Sequence, residues 1–481
     1  MTKPRKSRRE FIKAGVGLTA LSALPYAPSA FAQSETDKIV AAAKGVGKTD
    51  VTGMIWSNYF IPMQPSMEDF RKLSGIGTGN ILDISVFDIP QRAMAEALSR
   101  SPQIDFFHLD AGMIPSLASA GLLEPLDPYM KKAGFKIDAV GDYAKLMTYK
   151  GQTYAIPTDG NVHNQYVRKD LLEDPDAQKR YADKYGKPLK FPETWDDDYQ
   201  IMQFFHNPDK GIWGSGNLRN RANGVTWYLM YLYAHGGFPF DDGMKPTLNT
   251  PAGNRALEIY LREKSVAHPE SPGWGTPQMI PRIISGQVVA CQYWDGIVKL
   301  NENPKKSKTA GKWLYGTPPA ATVNGTTIVR TISSPIAAIH VNKYSPRKEA
   351  AAYLALWWGT ARSADQYVGD NVNTFHDAWN KSNMTSPAVE AAYTKAGLKA
   401  VEQCLQVACP PIYLTGYLEF QDQLGKALSE AYVGQRKASD VLPTVENEWA
   451  KIVKRIGTKK LQEELATYKD LMPSIDKPKM S

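Results

Sequence analysis

At 481 residues, with 43% hydrophobic and 22% charged, the chain is long enough for two domains or one large two-lobed fold, and apolar enough to bury a sizeable core. The formal net charge is +8, but the first 32 residues hold six Lys/Arg and one acid. Without them about +3 remains, too little to indicate nucleic acid, and no stretch reaches the ~20 apolar residues of a membrane-spanning helix.

The N-terminus carries the most specific motif. Ser7-Arg8-Arg9-Glu10-Phe11-Ile12-Lys13 matches the twin-arginine export pattern, an apolar segment follows over residues 14–24, and Ala30-Phe31-Ala32 supplies small residues for cleavage before Gln33. Residues 1–32 are therefore expected to be a signal peptide that engages the twin-arginine translocase, which exports proteins already folded. No cysteine lies near the cleavage site, so no lipid anchor on a mature N-terminal Cys is expected. A soluble exported binding protein is retained where an outer membrane encloses a periplasm.

Beyond this the chain alternates strands and helices. Residues 50–56 predict a strand, 65–73 a helix, 80–87 a strand, and 91–100 a helix with Ala93, Met94, Ala97 and Leu98 on one side. Residues 104–109 predict a third strand and 113–120 its helix. The alternation predicts an α/β fold around a mostly parallel, doubly wound sheet, in which ligands bind at the carboxyl ends of strands. Those ends carry Trp56-Ser57-Asn58, Asp88 and Asp110. Gly45-Val-Gly-Lys48-Thr49 echoes a phosphate loop, but Ala42 stands where the pattern needs glycine, and the segment precedes a strand instead of following one.

Residues 154–156 read as a short strand and 162–167 as another. Pro157-Thr158-Asp159-Gly160-Asn161 joins them without a real turn, as in a chain crossing between two domains. Later, 227–233 and 250–262 predict helices, 286–294 a strand, and 315–319 a segment leading the chain back. Residues 334–340 predict a strand of the first lobe and 347–367 one strongly apolar helix. Residues 418–432 and 441–456 predict closing amphipathic helices, the second with Leu442, Val445, Trp449, Ile452 and Ile456 on one stripe.

Several of these segments, in this order, resemble the sugar-type (maltose-binding-protein-like) extracellular solute-binding proteins of bacterial ABC importers. Gly151-Gln-Thr-Tyr154-Ala-Ile-Pro157, the polar patch after it, Lys169-Asp-Leu and Pro192-Glu-Thr-Trp195 follow that family's pattern. The segment from Ile104 through Leu126-Asp127 resembles another family stretch, departing from it with Ile104-Asp105 in place of Pro-Asp. The resemblance covers about residues 80–456. It implies a periplasmic-binding-protein fold: two doubly wound α/β lobes joined by a multi-strand hinge, with C-terminal helices. Residues 46–157 with about 322–372 would form the first lobe, and 158–321 with about 373–470 the second. It further implies a monomer without cofactor that closes around a sugar, oligosaccharide or polyol and delivers it to an inner-membrane ABC permease.

The aromatic load, 11 Trp and 24 Tyr, suits such a ligand. Flat rings stack on the apolar C–H face of a sugar while carboxylates and arginines bond its hydroxyls. Candidate ligand-binding residues are Trp56, Asn58, Asp88 and Asp110 at strand ends, Asp159 and Asn161 in the crossing, Trp294 and Asp295 ending a later strand, and Arg330. Arg219 is a further candidate, a salt bridge being the alternative for both arginines. Trp357, Trp358 and Trp449, on helix stripes, are assigned to core. No His-Glu-x-x-His, Cys-x-x-Cys or Gly-x-Ser-x-Gly occurs, and the seven histidines never fall at metal-ligand spacing, so neither an enzyme nor a metal site is expected. The many carboxylates leave a secreted glycoside-acting enzyme as the alternative, and an organic acid or phosphate ester as the alternative ligand. Cys291 reads as a small buried hydrophobe; a Cys404–Cys409 disulfide is left open.

Overall fold

The computed structural model describes residues 30–57, 59–85, 88–370 and 376–478. The twin-arginine motif and Asn58 lie outside the described residues. Nine strands build the two principal sheets: β1 (Thr49–Trp56), β2 (Ile76–Ile84), β3 (Phe106–Asp110), β4 (Ala155–Pro157), β5 (His163–Arg168), β6 (Trp213–Ser215), β7 (Val288–Trp294), β8 (Trp313–Gly316) and β9 (Ala337–Val341). The first sheet has the order β2-β1-β3-β9-β4 and the second β8-β5-β7-β6. β1 pairs in parallel with β2 and β3, as the helix–strand alternation predicts, whereas β9 runs antiparallel to both its neighbours. In the second sheet only β6 and β7 are parallel. The architecture is the two-lobed α/β fold that was expected, with a second sheet more antiparallel than a doubly wound one.

Helices cover the first sheet by burying their apolar stripes. In α1 (Ala30–Lys44) the buried side chains include Ile39, Val40 and Ala43, and the helix lies against α5 (Lys348–Trp358). α2 (Phe60–Ser74) buries Met63, Met67 and Phe70 at helical spacing; Phe70 stacks on Trp357, whose Nε1 donates to the Ser66 carbonyl at 2.8 Å. Gly75, with φ 85, ends α2 and turns the chain directly into β2, so that strand begins earlier than its apolar pattern predicts. α3 (Ile89–Leu98) follows β2. The apolar run expected as one helix over 347–367 is two, α5 and α6 (Ala361–Val368). Between them Thr360 adopts an extended conformation, and its hydroxyl accepts from the Ser363 N–H at 3.3 Å, starting a new helix.

The second lobe forms around a helix buried on all sides, α4 (Gly224–Ala234), whose Trp227 Nε1 donates to the Gln292 carbonyl at 3.0 Å. Of the C-terminal helices, α7 (Pro387–Gln406) packs against β8, α8 (Tyr417–Val433) against α4, and α9 (Ala438–Ile456) against α8. Leu442, Val445, Trp449 and Ile452 of α9 are buried as one stripe. Cys291, Cys404 and Cys409 are buried free thiols, so the last two are not bridged.

Three segments pass between the sheets side by side. Residues 158–162 leave β4 and enter β5, residues 317–336 return from β8 to β9, and residues 376–380 lie between α6 and α7. The Gly160 N–H donates to the Asp377 carbonyl at 3.3 Å, and the Ser334 N–H to the Asn161 carbonyl at 3.3 Å. A Cβ at Gly160 would lie 2.1 Å from the Ala378 carbonyl oxygen, so the close approach of these strands requires glycine there.

Candidate functional site

A cleft of about 650 Å³ lies between the lobes. Four of the residues expected there meet in it. Trp56 and Asp110 end β1 and β3 on the first-lobe wall, Asn161 rises from the crossing, and Trp294 ends β7 on the opposite wall. Asn161 has φ 50, a left-handed conformation that asparagine tolerates, and its Nδ2 donates to Asp159 Oδ2 at 2.6 Å.

The other expected residues lie elsewhere. Asp159 and Asp295 are fully buried beneath the cleft and hold the crossing segments together. Asp159 accepts the Asp377 backbone N–H at 2.6 Å; Asp295 accepts those of Val162 and Ala378, each at 3.2 Å, and the Tyr393 hydroxyl at 3.1 Å. Short carboxylates suit this role because they pin neighbouring backbone donors. Asp88 stands exposed just before α3. The Arg330 guanidinium donates to the Ile475 carbonyl at 2.8 Å and pairs with Asp476 at 3.0 Å, tying down the C-terminal segment. Arg219 is fully buried and paired with Glu263 at 2.7 Å.

The cleft also presents residues that the sequence reading did not single out: Tyr59, Tyr293, Asp377 and Tyr417. The Tyr417 hydroxyl, at the start of α8, donates to Asp110, which also accepts the backbone N–H groups of Gly112 at 3.0 Å and Ile336 at 3.2 Å. This contact joins the two walls. Burial pushes the Asp110 carboxyl up from its usual range, and those three donors oppose the shift. Trp56 packs edge-on to Tyr59 at 5.3 Å, and its Nε1 is buried without a partner among the described residues. Trp294 leans on His163 at 4.9 Å and on Trp227 at 5.6 Å, and its Nε1 donates to the Ser334 carbonyl at 2.9 Å. Burial lowers the His163 pKa to about 3, so this ring is a neutral wedge behind Trp294. Rings fixed by such packing offer a preorganised apolar surface.

Among the described residues no group of three or more His, Cys, Asp or Glu is arranged to hold a metal ion, and no helix is long and apolar enough to cross a membrane.

A family model for bacterial extracellular solute-binding proteins matches residues 67–374. The maltotriose-binding protein of Pyrococcus abyssi is 23% identical over 225 residues, spanning 43% of this chain and 42% of that protein. The mannitol-binding protein of Pseudomonas aeruginosa is 23% identical over 397 residues, 76% of this chain and 84% of that one. Among solved structures, an ABC-transporter solute-binding protein of Agrobacterium radiobacter K84 in complex with ribitol superposes with a TM-score of 0.70 at 18% identity, over 84% of this chain and 99% of the other. At that identity the likeness shows the shared fold.

Proposed function

This chain belongs to the bacterial extracellular solute-binding proteins, and from that premise we propose that it captures a sugar, oligosaccharide or polyol for an inner-membrane ABC permease. The protein works as a periplasmic monomer, exported through the twin-arginine route that Arg8-Arg9 addresses. The observation that carries the reading is the pairing of Trp56 and Trp294, each ending a strand of a different sheet and both lining one cleft. Two such rings can hold the C–H face of a polyhydroxylated ligand while Asp110 and Asn161 take its hydroxyls. Relatives named for maltotriose and mannitol binding, and a structural neighbour holding ribitol, support that ligand class. Closure is a shift between open and closed populations about the three crossing segments, and the closed form is what a permease would engage.

The test is a melting screen of the mature protein against monosaccharides, maltodextrins and polyols, followed by calorimetric titration of the best compound. Losing a stacked ring costs on the order of 1.5 kcal/mol or more, so Trp294→Ala and Trp56→Ala should each weaken binding about tenfold or further. A screen in which no sugar or polyol stabilises the protein, or two variants with unaltered affinity, would sink the reading.

A further inference from the structure

Charge does not balance at the floor of the cleft. Asp159, Asp295 and Asp377 converge there, none more than 2% exposed, and the cation among them is Lys299. Lys299 is itself buried and donates Nζ to the carbonyls of His376 at 2.6 Å and Val368 at 3.2 Å. Asp159 and Asp295 collect backbone N–H groups. Asp377 does not: among the described residues its carboxyl meets no nitrogen donor, its hydrogen-bonding neighbour is the Asp295 carboxyl, and it lines the cleft.

The other groups facing this centre do not restore neutrality. Tyr59 faces Asp159 and the Tyr393 hydroxyl donates to Asp295, while the nearby Tyr143 hydroxyl is spent on the Gly160 carbonyl and Ser333; these tyrosines supply hydroxyls rather than charge. The ring nitrogens of His376 both point at carbonyls, of Thr158 at 3.1 Å and Tyr59 at 2.8 Å. Counting that imidazole as charged still leaves one carboxylate over, and Asp370 beside Lys299 adds another acid. Burial and the mutual repulsion of the acids push the Asp377 and Asp159 carboxyls well up, which favours their neutral forms. A buried acid without a nitrogen donor among the described residues, lining a cleft that Trp56 and Trp294 also line, is the chemistry that accepts a cation.

We propose that the ligand of this cleft is a polyhydroxylated amine, an amino sugar or amino-polyol, whose ammonium group rests on Asp377 between Trp56 and Trp294. The proposal rests on the carbohydrate reading above and narrows it to one substrate class. No covalent step is involved: the ammonium takes the place of the carboxyl proton, which leaves to solvent. Binding is therefore linked to proton release, and affinity rises with pH by up to about tenfold per unit for each proton released while the amine stays charged.

The experiment compares 1-amino-1-deoxy-D-sorbitol with D-sorbitol, and D-glucosamine with D-glucose, by calorimetric titration of the mature protein between pH 6 and 8. The amine of at least one pair should bind tenfold or more tightly than its neutral counterpart, and the margin should widen with pH. Titration of that amine in buffers of different ionisation enthalpy should show protons released. Asp377→Asn, isosteric and uncharged, should bring the preference near unity, while Asp422→Asn at the rim, where Asp422 pairs with Arg221, should leave it standing. Equal or tighter binding of the neutral compounds would overturn the proposal and leave the carbohydrate reading intact. A preference that survives Asp377→Asn with no proton release would also overturn it. Binding by neither member of either pair nor by any other sugar or polyol would remove both readings.

Discussion

Two buried polar centres, one beneath the cleft and one inside the second lobe, are built from the same residue types and reach opposite ends. In the second lobe Glu263 accepts from Arg219, from the Ser215 hydroxyl at 2.6 Å, from Asn217 at 2.9 Å and from the Tyr231 hydroxyl at 2.9 Å. Asp198, next in the same network, accepts the amides of Gln165 and Gln292, each at 2.8 Å. Each acid there has donors, and Arg219 also lies over the Tyr260 ring at 4.5 Å. Beneath the cleft three acids share one lysine, and the one that lines the cleft has no nitrogen donor among the described residues. A satisfied network fixes one arrangement of a core, whereas an unsatisfied group beside a cavity is a place for something else to bind. The contrast separates structure from function among residues of equal burial.

The sharpest way to break this comparison is at Glu263. Glu263→Ala strands the Arg219 guanidinium in the core, and breaking one side of a buried pair costs about 3–5 kcal/mol. Urea unfolding should show that loss, while ligand affinity of the folded fraction stays within about twofold. A loss below about 1 kcal/mol would mean the second-lobe centre is no more structural than the one beneath the cleft.

How far the sequence reveals these two centres follows from the distances over which they form. Strand ends are local features. Alternation of apolar and polar residues, with a loop signal after each run, is enough to place Trp56, Asp110 and Trp294 at strand ends and Asn161 in the crossing between them. The same signal cannot tell a carboxylate that points into a cleft from one that pins backbone beneath it, as Asp159 and Asp295 do. Tyr417 and Asp377 had no local signal. The first reaches Asp110 across 307 residues, and the second meets Asp159 across 218. Arg219 is an example of the reverse, a polar residue in a loop-like context whose partner, Glu263, becomes visible only in the folded core. The split between α5 and α6 hinges on one capping hydroxyl, a signal too small to interrupt an apolar run that long.

A smaller effect, and one confined to the cleft side, is expected at the crossing. In Gly160→Ala the added Cβ would meet the Ala378 carbonyl, forcing apart the strands that carry Asp159 and Asp377. Overpacking of this kind costs about 1–3 kcal/mol. Because the strain falls where the lobes join, small-angle scattering of the ligand-free variant should shift toward a more open form, and affinity should fall with it. A variant with wild-type scattering and affinity but lowered stability would show that the crossing is ordinary core.

The smallest predicted effects come from removing one hydroxyl in each centre, and they distinguish the two most directly. Tyr417→Phe deletes the donor that links α8 to Asp110 across the cleft, leaving that carboxylate its two backbone partners. Tyr231→Phe deletes one of the donors to Glu263 in the second lobe. A single buried hydrogen bond is worth about 1 kcal/mol net, so neither change should unfold the protein. For Tyr417→Phe that energy belongs to the closed form: affinity should drop roughly fivefold, with the melting temperature of the ligand-free protein almost unmoved. For Tyr231→Phe it belongs to the fold: ligand-free stability should drop by a similar energy, with affinity unchanged. Titration and urea unfolding of both variants, run in parallel, decide the matter. If the two respond alike in both measurements, the contact between Tyr417 and Asp110 is one more core hydrogen bond rather than a latch between the lobes.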